Sequence, residues 1–168
     1  VVGRHKIAAA AGVLAGLFIV AATGAGAQAQ TVAPSTAQVA TARTDGAIVI
    51  HALKPTASTR TVTAAPSTYP AVERVFISGG AETLCYPGYA CAVVPYGSGS
   101  YVFKFLHYDG YSLSQWNGFG YIMNNQTGSA AARWDNQVGG ELGCVAPPLK
   151  RFFSWDPVYR IRLTAAAC

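Results

Sequence analysis

A small all-β domain braced by two disulfides is the fold class this sequence predicts, and three observations lead to it. From Leu84 to Trp134, aromatic and β-branched residues come in short runs broken at close intervals by Gly, Pro, Asn and Ser. Such runs suit pleated, half-buried surfaces, and the breakers interrupt any sustained helix. No long helical apolar pattern and no βαβ rhythm occurs in the chain. The cysteines are Cys85, Cys91, Cys144 and Cys168, an even number confined to the C-terminal half. A compact β-sandwich or Greek-key domain of about seven or eight short strands fits this pattern. Its core would be modest, so disulfides contributing a few kcal/mol each make physical sense.

The N-terminal 29 residues read as a secretory signal peptide. Arg4, His5 and Lys6 form a basic region, Ile7 to Val20 is apolar, and Ala27-Gln28-Ala29 offers an A-x-A cleavage site. The apolar run is about 14 residues, short of the roughly 18 to 20 that span a bilayer. The expected product is secreted and extracellular, with no stable membrane insertion after cleavage. Residues 30–70 are rich in Ala, Thr, Ser, Val and Pro and bury too little to offset their ordering entropy, so a flexible arm or pro-segment is expected there. Ala47 to Ile50 and Arg60 to Thr63 are its only strand-like stretches. The β domain is expected over 71–168.

Within that domain the expected strands are Val72–Ile77, Tyr89–Pro95, Tyr101–Tyr108, Tyr121–Met123, Ala130–Trp134, Leu142–Val145, Phe152–Trp155 and Val158–Leu163. Tyr101, Phe103 and Phe105 should share one face, with Val102, Lys104 and Leu106 on the other. Asp109-Gly110 marks a turn, and Ser112 to Trp116 reads as a turn or short helical loop. Of the three formal cysteine pairings, Cys85–Cys91 across Pro87-Gly88 and Cys144–Cys168 at the C-terminus are favoured. The longer loop should make Cys144–Cys168 the more stabilising bond, its loss releasing the last strand.

Removing the leader leaves ten Lys and Arg against seven Asp and Glu, and from Ala81 onward six against five. That balance gives no electrostatic footprint for nucleic acid, and Lys150-Arg151 is an isolated basic pair.

Cys85, Gly88-Tyr89-Ala90-Cys91, Tyr111-Ser-Leu-Ser-Gln-Trp116, Gly120-Tyr121-Ile-Met-Asn124-Asn125-Gln-Thr127-Gly128 and Trp155-Asp156-Pro157 stand out as a set. On these residues the stretch from Leu84 to Cys168 resembles the secreted actinobacterial βγ-crystallin-like peptidase inhibitors, the family of the Streptomyces metalloproteinase inhibitor. The resemblance implies a βγ-crystallin-like double Greek-key sandwich and inhibition of secreted thermolysin-like metallopeptidases. Two departures stand against it: Cys91 to Gly97 lacks the family's acidic residue, and Gly128 replaces a hydroxyl in the crystallin calcium pattern at Asn124 to Ser129. Neutral Asn124 and Asn125 are poor calcium ligands without carboxylates, and a turn held by asparagine hydrogen bonds is the simpler reading.

Two functions follow as expectations. The first is occlusion of an extracellular peptidase by rigid loops, through Pro95, Tyr96 and Tyr101 or through Pro147, Pro148 and Lys150. The second is a cell-envelope glycan or polysaccharide partner, held by exposed aromatics among which Tyr111, Trp116 and Tyr121 are the candidates. No catalytic constellation, cofactor or metal site is expected. The cysteine spacings match no compact zinc signature. His107 lies on a strand beside Tyr108 and Asp109, with Ser112 and Ser114 as its nearest conceivable partners. Asp109, Asp135, Glu141 and Asp156 read as turn or surface acids, and Asn125-Gln-Thr127 is a chance glycosylation triplet.

Overall fold

The computed structural model describes residues 45–54 and 64–168. The expected leader, residues 30–44 and 55–63 of the expected arm, and with them the Arg60 to Thr63 strand candidate, lie outside the described residues. In chain order the strands are β1 (Ile48–His51), β2 (Ser67–Tyr69), β3 (Glu73–Ser78), β4 (Glu82–Cys85), β5 (Tyr89–Tyr96) and β6 (Gly99–Phe105). They continue as β7 (Gly110–Ser114), β8 (Phe119–Asn125), β9 (Ala131–Asp135), β10 (Glu141–Val145), β11 (Lys150–Ser154) and β12 (Arg160–Thr164). All expected strands of the β domain are present, with shifted ends. Ser112 to Ser114, expected as turn or helical loop, is instead strand: β7 is paired on both edges, by β12 and β2.

Every pairing is antiparallel. The inner sheet has the order β11-β8-β5-β6-β3 and the second sheet the order β10-β9-β12-β7-β2, while β1 and β4 form a separate two-stranded ribbon. The connections follow a rule. In each run of four, β5 to β8 and β9 to β12, the fourth, first and second strands are neighbours, and the third crosses to the opposite sheet.

The inner sheet is covered on both faces. Ala90, Ala92, Val94, Phe103, Phe105 and Ile122 share one core with Tyr111, Trp134, Ile161 and Leu163 of the second sheet. Cys91, Val93, Val102, Tyr121 and Met123 face the other way and share a second core with Ile50, Ile77 and Cys85. The expected alternation along β6 is therefore present, with its Val102 face buried beneath the ribbon. Trp155 sits at the centre of the first core, fully buried, and its Nε1–H donates to the Val93 carbonyl at 2.9 Å. Gly120 makes room for it: a Cβ there would lie 2.1 Å from both the Trp155 Nε1 and the Val93 oxygen.

The boundary expected at residue 71 does not hold. β1 pairs with β4 and β2 pairs with β7, so two pieces of the expected arm are strands of this domain. A three- or four-residue strand buries little by itself: β1 overlaps the strand-like Ala47 to Ile50 stretch of the expected arm, β2 has no such local signal, and what both gain comes from long-range partners. β4 was missed for the same reason.

Cys85 is bonded to Cys91 and Cys144 to Cys168, with no free cysteine. The first joins the ribbon to the inner sheet. The second fastens only the tail, because β12 is a central strand paired with β9 and β7. Loop entropy favours the longer Cys144–Cys168 closure by about 1 kcal/mol. Burial reverses the ranking: Cys85 and Cys91 are fully buried and Cys168 is exposed. Placing a hydroxyl in that apolar core costs about 1–3 kcal/mol. Cys85→Ser is thus expected to lower the urea midpoint more than Cys168→Ser. The Cys168 variant should keep slow amide exchange in β12; fast exchange there, or the opposite order of midpoints, would contradict this account.

Candidate binding surfaces

The three aromatics expected to form a binding face are all in the interior. Tyr111 packs edge-on against Phe105 at 4.9 Å and donates its hydroxyl to the His107 carbonyl. Trp116 lies 4.4 Å from Phe103 and 4.8 Å from Trp155, and its Nε1–H donates to Ser67 O. Tyr121 donates its hydroxyl to His51 O, and burial pushes its pKa up to about 12. Their relative exposures are 4, 4 and 5%. The physical reason lies in two strands from the expected arm: the acceptors for Trp116 and Tyr121 belong to β2 and β1.

The expected inhibitory loops are also short. Pro95, Tyr96 and Tyr101 lie within β5 and β6, joined by the two-residue turn Gly97-Ser98. Gly97 takes a positive φ at the first turn position, as a II′ hairpin requires. Tyr101 is fixed between Phe76 at 5.2 Å and Tyr96 at 5.4 Å, with the Arg74 guanidinium 5.0 Å from its ring centre. Pro147-Pro148, a cis pair, forms a tight turn closed by Leu149 N–H donating to Ala146 O. Lys150 begins β11 rather than ending a loop.

A different set of aromatics is exposed together. On the ribbon-facing side of the inner sheet, Phe119 and Tyr121 follow each other on β8, and Phe152 pairs with Tyr121 from β11. The Tyr121 and Phe152 rings are 4.9 Å apart, and Lys150 Nζ lies 5.3 and 5.1 Å from their centres. Phe119 is a diagonal neighbour of Phe152, within reach of an aromatic ring. Phe119 is 77% and Phe152 61% exposed. A signal for this strip was present in Phe152-Phe153: on a strand covered on one face, adjacent residues point oppositely, so one phenylalanine enters the core and one faces out. Phe153 is the inward one, stacked on Trp134 at 4.4 Å.

The remaining polar candidates have structural partners. Asn124 is fully buried; its amide donates to Ala130 O and Val145 O, and its oxygen accepts from Gln126 N–H. Asn125 donates to Gly46 O and Cys85 O, which occupies the amide of the glycosylation triplet. The expected asparagine-held turn is what the chain forms. Asp156 accepts from Gly118 N–H and Ser154 Oγ. Among the described residues, no group of three His, Cys, Asp or Glu is arranged to hold a metal.

Asp135 is no surface acid. It is fully buried on the second sheet, where Arg162 grips both of its oxygens at 2.7 and 2.8 Å and Arg160 holds one at 2.9 Å. Glu141 extends the network to Arg162 and Arg133.

Compared with known proteins, the chain matches no family model, no curated protein and no solved structure.

Hydrogen bonds from Arg162 hold the Asp135 carboxyl below the usual carboxylate range, against the opposing effect of burial. A depressed folded-state pKa stabilises the fold above the unfolded value and is lost as pH falls through the folded one. Asp135→Asn, which breaks a buried pair, is expected to cost about 3 kcal/mol at pH 7. The cost should shrink below about pH 4, where the unfolded carboxyl takes up a proton. Urea midpoints of both proteins at pH 7 and pH 3 check this; a constant difference would contradict it.

Proposed function

We propose that this protein is a secreted binding module for a cell-envelope polysaccharide, gripping it along the exposed strip Phe119–Phe152–Lys150. The observation that carries the reading is the pair of exposed phenyl rings at diagonal positions on one face of the paired strands β8 and β11. Isolated exposed apolar residues need no explanation, whereas a contiguous group rimmed by polar side chains marks an interaction site. The C–H face of a pyranose ring is apolar and packs on an aromatic face by dispersion, while its hydroxyls need donors and acceptors at the rim. Lys150 and the Ser154–Asp156 pair supply those here. No helix among the described residues is long and apolar enough to cross a membrane.

We further infer a βγ-crystallin-like double Greek key, supported by the strand order in which each group of four sends its third strand to the opposite sheet. That order also favours a second reading, inhibition of a secreted metallopeptidase. The support is specific to the Ala146–Leu149 turn, which holds an exposed Leu149 between two backbone hydrogen bonds. Fold kinship alone does not carry an activity, so this reading stays second.

Retention on insoluble peptidoglycan, chitin and cellulose tests the first reading. Binding to at least one is expected, with Phe119→Ala and Phe152→Ala each weakening it about tenfold, as loss of one interface anchor does. Both positions are exposed, so the variants should fold normally. Absence from all three polymers, or full retention by the double variant, would sink the proposal. Titration against secreted metallo- and serine peptidases tests the second reading: inhibition at micromolar concentration, lost in Leu149→Asp, is its expected outcome, and no inhibition across the panel removes it.

A further inference from the structure

A groove of about 450 Å³ is lined by Glu73, Tyr89, Lys104, Leu106, Asp109 and Tyr111 among others. Its size lies within the range of small-molecule sites, about 300–1,000 Å³. Its charges are unequal in availability. Lys104 is nearly covered, its ammonium held 2.6 Å from Glu73 Oε1 and 5.9 Å from the centre of the Tyr86 ring. Asp109 is exposed, uses Oδ1 to accept from Gly110 N–H, and has no basic partner among the described residues. Tyr111 spends its proton on His107 O, so its oxygen is left as an acceptor. Burial and the Asp109 charge both raise the Tyr111 pKa, which keeps the phenol neutral.

The groove therefore offers acceptors and a net negative charge on a chain whose formal net charge is +5. Its walls are apolar or aromatic at Pro70, Val72, Leu106 and Tyr89. We propose that it binds a cationic amino sugar, a hexosamine with a free ammonium group, as one unit of the envelope polymer; this rests on the polysaccharide reading above. The ammonium would meet the exposed Asp109 carboxylate, with His107 and Glu73 beside it and the sugar's C–H face against Tyr89 and Leu106. N-acetylation removes the charge and puts a carbonyl oxygen among acceptors. A carboxylate ligand would meet Asp109 uncompensated, since Lys104 is already paired.

Amide chemical-shift titration of the full chain with the soluble dimers of glucosamine and of N-acetylglucosamine tests this. The expected result is shifts at Tyr89, Leu106 and Asp109, and an affinity about tenfold higher for the free amine, the scale of one charge-assisted hydrogen bond. Asp109→Asn keeps the side-chain acceptor for Gly110 and should abolish the preference; Glu73→Gln should reduce it. Equal affinity for the two dimers, or a preference that survives in Asp109→Asn, overturns the proposal. Equal competition by lysine amide overturns the sugar assignment, pointing to a basic peptide. Polymer retention without dimer binding removes the groove and spares the strip. Dimer binding without polymer retention removes the polymer reading and leaves an amino-sugar site.

Discussion

The constraint on which the rest depends is that the inner sheet has two apolar faces. Its outward row includes Val93 and Val102, both with zero exposure, and water could not be left against it without losing much of the core. Fully burying one such side chain stabilises by roughly 1.5–3 kcal/mol, so the β1–β4 ribbon is as necessary to the fold as the second sheet. Two fasteners hold it. The Cys85–Cys91 bond ties β4 to β5, and the Asn125 amide donates at once to Gly46 O and Cys85 O, one near the start of β1 and the other at the end of β4. The chain invests polar chemistry where the covering layer is too small to hold itself.

This explains what was legible in the sequence and what was not. The strands of the main sheets announce themselves through their own residues: β5 and β6 carry enough β-branched and aromatic side chains to be read alone. β2 and β4 carry one or two each, and the Ile-Val-Ile of β1 stands in surroundings of Ala, Thr and Ser. Their stability resides in partners far along the chain, such as Ser67 O, which accepts from Trp116 across 49 positions. The same oversight produced the error at the binding face. With β1 and β2 assigned to a flexible arm, Tyr121 and Trp116 had no visible cover and stood as exposed aromatics. The cysteine pairing was legible because the turn at Pro87-Gly88 is local. The full burial of Cys85 was not, since it is set by the ribbon.

Charge shows a parallel contrast. Asp135 looked like a loop acid because it is followed by Asn-Gln-Val-Gly-Gly. It is instead the last residue of β9, directly opposite Arg160 on β12, with Arg162 two residues further along that strand. Only the register of two strands distant in sequence puts two guanidinium groups on one carboxylate. Nothing in the local composition encodes it.

The exposed aromatic strip follows from the limit of the same ribbon. β1 and β4 are four residues each, too short and too few to cover a five-stranded sheet. Tyr121 marks the border, buried and hydrogen-bonded to His51 of the ribbon on one side and touching Phe152 on the other. Beyond it, Phe119 and Phe152 continue the apolar row of the inner sheet into solvent. Lys150 lies over the rings and Arg151 sits on the same edge strand, cationic placement that discourages pairing with a second sheet. An apolar row left open, with its edge guarded against strand addition, is the arrangement that the proposed polymer-binding face would need.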